Sequence, residues 1–189
     1  MLRTLVLLAL SLATAVSAQT LTPEQHAAEG AVRLFYAGCI VYYPDRLAFD
    51  DWVAGNRYEP FPPEKLQQLV RKPGGKAWSV NNNGVRYALV AEASDLCSVF
   101  VKEVTLEYTR GPLAKARKRL VANGLTESSK VTEKKVGKGS VKTTEYQYKD
   151  KAGKSIWTLV VSESPSAEGG YQLVMSATGK QRPPQTAEH

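Results

Sequence analysis

Hydrophobic positions in the first third of the chain recur with the period of a helix. Thr22-Pro23-Glu24-Gln25 offers an N-cap Thr, a Pro suited to the first helical position and a Gln placed to close a capping box. Ala28, Ala31, Val32, Phe35 and Cys39 follow at three- and four-residue steps, so one face is apolar and Cys39 ends it. A second short helix is predicted after Pro44-Asp45, burying Phe49, Trp52 and Val53, with Gly55 near its end. A third starts at Pro62-Pro63, carries Leu66, Leu69 and Val70, and stops at Pro73-Gly74-Gly75.

The period then falls to two. Ala77-Trp78-Ser79-Val80 and Val85-Arg86-Tyr87-Ala88-Leu89 alternate around a hairpin signal, Asn83-Gly84, and 97–101 reads as the next strand. Helical spacing returns over 112–122, with Leu113, Ala116, Leu120 and Val121 on one face and Gly124 beyond the end. Four more strands are predicted at 129–136, 141–149, 155–163 and 171–178. Short turns, Gly137-Lys138-Gly139 and Lys151-Ala152-Gly153-Lys154, give an antiparallel meander. The expected class is α+β: an antiparallel sheet of about six to seven strands, with N-terminal helices and one inserted helix. The inserted helix should cross one face and the N-terminal helices should cover the other. No internal repeat of sequence is visible.

Residues 1–18 change the picture of where this domain works. Arg3, an apolar run from Leu5 to Leu12, and Val16-Ser17-Ala18 have the layout of a secretory signal peptide cleaved before Gln19. The expected organisation is a signal peptide over 1–18, one α+β domain over 19–179 and a Pro-rich, polar, disordered tail over 180–189. A periplasmic or secreted address follows. Gln19 rather than Cys stands after the cut, so no lipid anchor is expected, nor is an integral membrane protein, since no second apolar run reaches ~18 residues.

In such a compartment the two cysteines, Cys39 and Cys97, are expected to pair. Free thiols are the alternative. A metal site lacks ligands, because the two histidines are His26 and the C-terminal His189. No cofactor is expected. His26 sits in the first turn of a helix with no triad around it. Asp50-Asp51 is the closest carboxylate pair, but adjacent helical residues point about 100° apart and do not converge on one substrate. Glu24 and Glu29 read as surface residues. Gly137-Lys138-Gly139 lacks the helix that a phosphate loop requires. A cell-wall hydrolase would need an acid/base pair the sequence does not supply, and the expectation is a protein that is not an enzyme.

Charge is the stronger signal. The formal net charge is +7, and residues 102–154 hold 14 Lys/Arg against 6 Asp/Glu. Lys115, Arg117, Lys118 and Arg119 lie on the predicted helix, and Lys134, Lys135 and Lys142 on the strands after it. Such a half-domain steers acidic partners; equally, solvated lysines guard the edges of a sheet. Nucleic acid is not expected, since no reading motif is present and Lys outnumbers Arg on the strands. These positions form the candidate partner-binding patch. The leading expectation is an exported, non-catalytic binding protein, in one concrete form an immunity-type protein that meets an acidic envelope or toxin protein. The alternative is an envelope accessory factor touching anionic lipid headgroups, lipopolysaccharide or peptidoglycan through the same lysines.

A helix with Phe35 and Cys39, a helix with Trp52, Gly75-Lys76-Ala77-Trp78, Tyr87-Ala88-Leu89 and then Cys97 make residues 28–101 resemble a group of small exported proteobacterial envelope proteins of uncharacterised function. The resemblance implies an envelope address and a disulfide between helix and sheet. It brings over no catalytic residue.

Overall fold

The N-terminal helix starts on the capping box its residues call for. Gln25 N–H donates to Thr22 Oγ1 at 3.3 Å, and Thr22 N–H donates to Gln25 Oε1 at 2.8 Å. This computed structural model describes residues 21–82, 84–137, 139–166 and 170–179. The expected signal peptide, the tail over 180–189, Asn83 of the hairpin and Lys138 lie outside the described residues. Helix α1 (Pro23–Phe35) buries Ala28, Ala31, Val32 and Phe35 as the spacing predicts.

Instead of ending at Cys39, the helix widens into a π-helical segment, Tyr36–Tyr42, in which Tyr43 N–H reaches back five residues to the Gly38 carbonyl at 2.9 Å. Gly38 packs closely there: a Cβ on it would stand 3.2 Å from the Trp52 ring and 3.3 Å from Leu89 Cδ1, so both neighbours would have to give by a few tenths of an ångström. The widened turn buries Cys39, which forms a disulfide with Cys97, 58 residues away, with the two Cα atoms 5.2 Å apart. The pairing that composition suggested is therefore present.

Helix α2 (Arg46–Gly55) starts on Asp45, whose Oδ1 accepts from Ala48 N–H at 3.2 Å, and buries Phe49 and Val53. Its Trp52 stacks on Tyr42 with centroids 5.2 Å apart. Helix α3 (Pro63–Leu69) follows the predicted prolines. The strands are β1 (Glu59–Pro60), β2 (Lys76–Asn82), β3 (Val85–Ala91), β4 (Leu96–Val101), β5 (Thr126–Val136), β6 (Gly139–Lys149), β7 (Ser155–Glu163) and β8 (Leu173–Gly179), with α4 (Leu106–Ala122) between β4 and β5. They form one eight-stranded antiparallel sheet in the order β1-β2-β3-β4-β8-β7-β6-β5. The fold is α+β, with β1 added to the seven predicted strands.

That order contains a symmetry. A helix and four antiparallel strands that neighbour one another in chain order occur twice, α1 with β1–β4, where the π segment, α2 and α3 are interposed, and α4 with β5–β8, and the two halves join at β4 and β8. In that order β1 corresponds to β5, β2 to β6 and β3 to β7 about the β4–β8 pair, and in the chain α1 corresponds to α4. The repeat is one of topology, which the absence of a sequence repeat concealed.

Two expectations change. Helix α4 starts at Leu106, not Pro112, and holds Pro112 in its interior. The proline forfeits one helical bond, to the carbonyl of exposed Tyr108, while Thr109, Leu113 and Leu120 are buried and hold the longer helix down. Val121, expected on the buried face, is 43% exposed. Second, the helices do not divide between the faces as predicted. α1, its π extension, α2 and α4 share one core with Trp78, Leu89, Val99, Trp157, Leu159 and Met175, and α1 packs on α4. Among the described helices short α3 alone lies on the other face, its Leu69 against Ala77, Ala88 and Val90. Its C-terminal end is held by buried Glu92, which accepts from Arg71 N–H at 2.9 Å and Lys72 N–H at 3.3 Å.

Candidate functional site

The basic residues of the C-terminal half are sorted by the helical and strand periods on which they lie. On α4 the buried strip runs through Thr109, Leu113 and Leu120. Arg117 and Arg119 flank that strip on opposite sides, while Lys115 and Lys118 point away from it.

Arg117 is turned inward and serves the fold. Its guanidinium forms a two-pronged ion pair with Glu127 at the start of β5, with Nε at 3.0 Å from Oε2. Tyr148 Oη donates to the same carboxylate at 2.6 Å, and the guanidinium lies 3.8 Å over the Tyr146 ring. Burial pushes the Glu127 carboxyl up, but the hydrogen bonds from Arg117 and Tyr148 and the Arg117 charge outweigh it and hold the group below its ordinary value. Burial and the Glu127 carboxylate raise the Tyr148 hydroxyl well above the usual phenol range. The charge of Arg117 is thus spent on tying α4 to the sheet and adds nothing to an outward field.

Arg119 turns to the other side, toward Tyr36 on the π segment, its guanidinium 5.4 Å from the ring centroid. With Lys115 it borders a groove of about 370 Å³ between α1 and α4, floored by Val32, Ala37, Pro112 and Ala116. Arg33 of α1 completes a rim of three cations, faced by one carboxylate, Glu29. Arg33 also lines a neighbouring cleft of about 360 Å³ with Trp52, Asn56, Tyr58, Asn81 and Asn82. Sequence reasoning passed over Arg33 because it lies far from the Lys-rich segment; its helical position, one turn before Ala37, was the available signal.

The strand lysines do not join this rim as one surface. Lys134 and Lys135 are neighbours on β5 and project to opposite faces. Lys135 shares its face with Lys142, which stands opposite Glu133 in the β5–β6 register. Lys118 points to solvent from α4. The seven predicted patch residues therefore divide: Lys115 and Arg119 at the groove, Lys118 beside them, Lys135 and Lys142 on the helix side of the long hairpin, Lys134 on its back, and Arg117 in the interior.

The other candidate chemistries take ordinary places. His26 is exposed. Asp50 forms an ion pair with Lys76 at 3.2 Å, and Asp51 is exposed. Among the described residues no group of three His, Cys, Asp or Glu is placed to hold a metal, and no helix is long and apolar enough to cross a membrane. Comparison with family models, with curated proteins and with solved structures finds no match to this chain.

Proposed function

We propose that this is a non-catalytic, exported binding protein that meets an acidic protein partner through its basic C-terminal half, with an immunity-type protein of the cell envelope as its concrete form. One observation carries the reading. Lys115, Lys118, Lys134, Lys135 and Lys142 make no ion pair with any described residue, so their charge is left to act outward. A net positive field of this kind accelerates encounter with a partner of opposite sign and weakens as salt rises, because the screening length is about 8 Å at physiological ionic strength.

The test uses immobilised protein and a variant carrying Lys115→Glu, Lys118→Glu, Lys134→Glu and Lys142→Glu, each challenged with envelope extract at low and at high salt. The parent should retain one stoichiometric acidic protein, released by salt, and the variant should associate with it at least ~10-fold more slowly with unchanged thermal stability. Equal association by parent and variant overturns the reading. Salt-sensitive binding of phosphatidylglycerol vesicles with no protein retained would replace it with the anionic-envelope alternative.

A further inference from the structure

The two edges of the sheet are unlike, although the repeated topology makes them equivalents. β1 at one edge is two residues long, and Pro60, Pro62 and Pro63 in and after it have no N–H to offer an incoming strand. β5 at the other edge runs 11 residues, and all of them after Glu127 are exposed. Natural sheets avoid a free edge of that length by shortening, bulging or covering it, or by placing lysines on it, which repel neutral association less than they repel another basic strand. Here one edge is closed by its length and its prolines, while among the described residues its counterpart has an uncovered backbone guarded by lysine charge alone.

The register shows what the open edge presents. Val136 pairs with Gly139, two residues of sequence lie between them, and residues that flank a two-residue hairpin connection form a hydrogen-bonded pair. Alternation then commits the N–H and C=O groups of the even-numbered residues of β5 to β6. Those of Ser129, Val131, Glu133 and Lys135 turn outward.

Charge selects among strands that could use them. Lys130 and Lys134 stand on one face of the edge, and Lys135 on the other, beside Lys142 of β6. Of the two carboxylates of β5, Glu127 is neutralised by Arg117 and bonded by Tyr148, while Glu133 accepts from Ser140 Oγ at 2.6 Å and is outnumbered on its face by Lys135 and Lys142. Val131 and Val136 are 56% and 52% exposed, one on each face, and add apolar contact.

We propose that β5 is a docking edge on which an extended acidic segment of the partner protein adds as a further antiparallel strand. The inference rests on the reading that the basic half recruits an acidic partner, and states how. Backbone bonds supply the attachment, and the lysines the choice: a strand bearing Lys or Arg is repelled from both faces, and a second copy of this chain brings the same three lysines, whereas alternating Asp or Glu is drawn in.

The probe is a nine-residue peptide in which Glu alternates with Val and Thr, compared with its Lys-for-Glu analogue. Binding to the full chain is followed by fluorescence anisotropy and by amide exchange resolved to single residues. The acidic peptide should bind at low salt, weaken at high salt, and slow exchange at Ser129, Val131, Glu133 and Lys135 by at least ~10-fold, as expected for amides drawn into a ladder. Val131→Pro removes an outward N–H while leaving the bonds to β6 in place, and should abolish binding without changing the unfolding temperature. A second variant, Lys130→Glu, Lys134→Glu and Lys135→Glu, keeps every backbone group and should reverse the preference between the two peptides. Protection confined to α4 around Lys115 and Lys118 would overturn the docking edge while leaving the acidic-partner reading intact. No binding, equal binding of both peptides, or a dimer that protects β5 without peptide would also overturn it, and the extract experiment then judges the broader reading separately.

Discussion

Replacing Arg117 by Met separates the structural arginine from the lysines around it. Met keeps an apolar stem over Tyr146 and removes the charge. Two charge-assisted bonds to Glu127 are lost, each worth ~1.5–3 kcal/mol when fully buried. The side chains of Arg117 and Glu127 are 25% and 20% exposed, so water partly replaces what is removed. Loss of the contact with the Tyr146 ring adds ~0.5–1 kcal/mol, and Arg117→Met should destabilise the fold by about 2–3 kcal/mol at neutral pH. Glu127→Gln alone should cost less, since Tyr148 can still donate to the amide oxygen, and the double variant should fall short of the sum by about 1–2 kcal/mol. The pH dependence has a definite sign. The Glu127 carboxyl is held below its ordinary 4.5 in the fold. Its contribution is therefore complete above that pH and lost as pH falls through the lower folded value. Urea unfolding of the four proteins at pH 7 and near pH 3 measures all of this. A cost below ~0.5 kcal/mol at pH 7, or one that is undiminished at low pH, would refute the argument. Partner association should keep its salt dependence in Arg117→Met, because this charge is already neutralised.

Two further outcomes are expected. The native protein should resist alkylation at Cys39 and Cys97, and joint replacement of both by Ala should cost no more than about 4 kcal/mol, the chain-entropy value for a loop of this length; free thiols in the folded protein would contradict it. Burial raises the Tyr43 hydroxyl to about 12, and raises Tyr58, Tyr87, Tyr148 and Tyr171 as well. The fold thus favours their neutral forms, a stability fully present below about pH 10 and lost as pH rises through the folded values. Tyrosinate absorbance should rise in two stages, the second coincident with unfolding, and a single stage near pH 10 with the fold intact would be the contrary result.

The sequence by itself determined most of the elements. Thr22 and Gln25 set the start of α1, the two-residue alternation marked the strands, and the single pair of cysteines named the disulfide partners. These signals are local: a cap, a turn or a period is complete within a dozen residues. The limits of α4 were not legible, because Pro112 is a strong local stop, and only burial of Thr109 and Leu113 against the sheet overrides it. Nor was the π segment, whose register sets Gly38 against Trp52 and Cys39 against Cys97. The arrangement of helices on the faces, and the correspondence of the two halves without matching residues, came from strand pairings between segments far apart in sequence. The same holds for the basic residues. Composition counted their charges, but the sign and number of charges say nothing of direction. The helical and strand phases, set by the core, sent Arg117 inward to Glu127, Lys115 and Arg119 to the groove with Arg33, and Lys134 and Lys135 to opposite faces of an open edge. Which charges reach outward is a property of the packed core beneath them, and that exists only once the chain has folded.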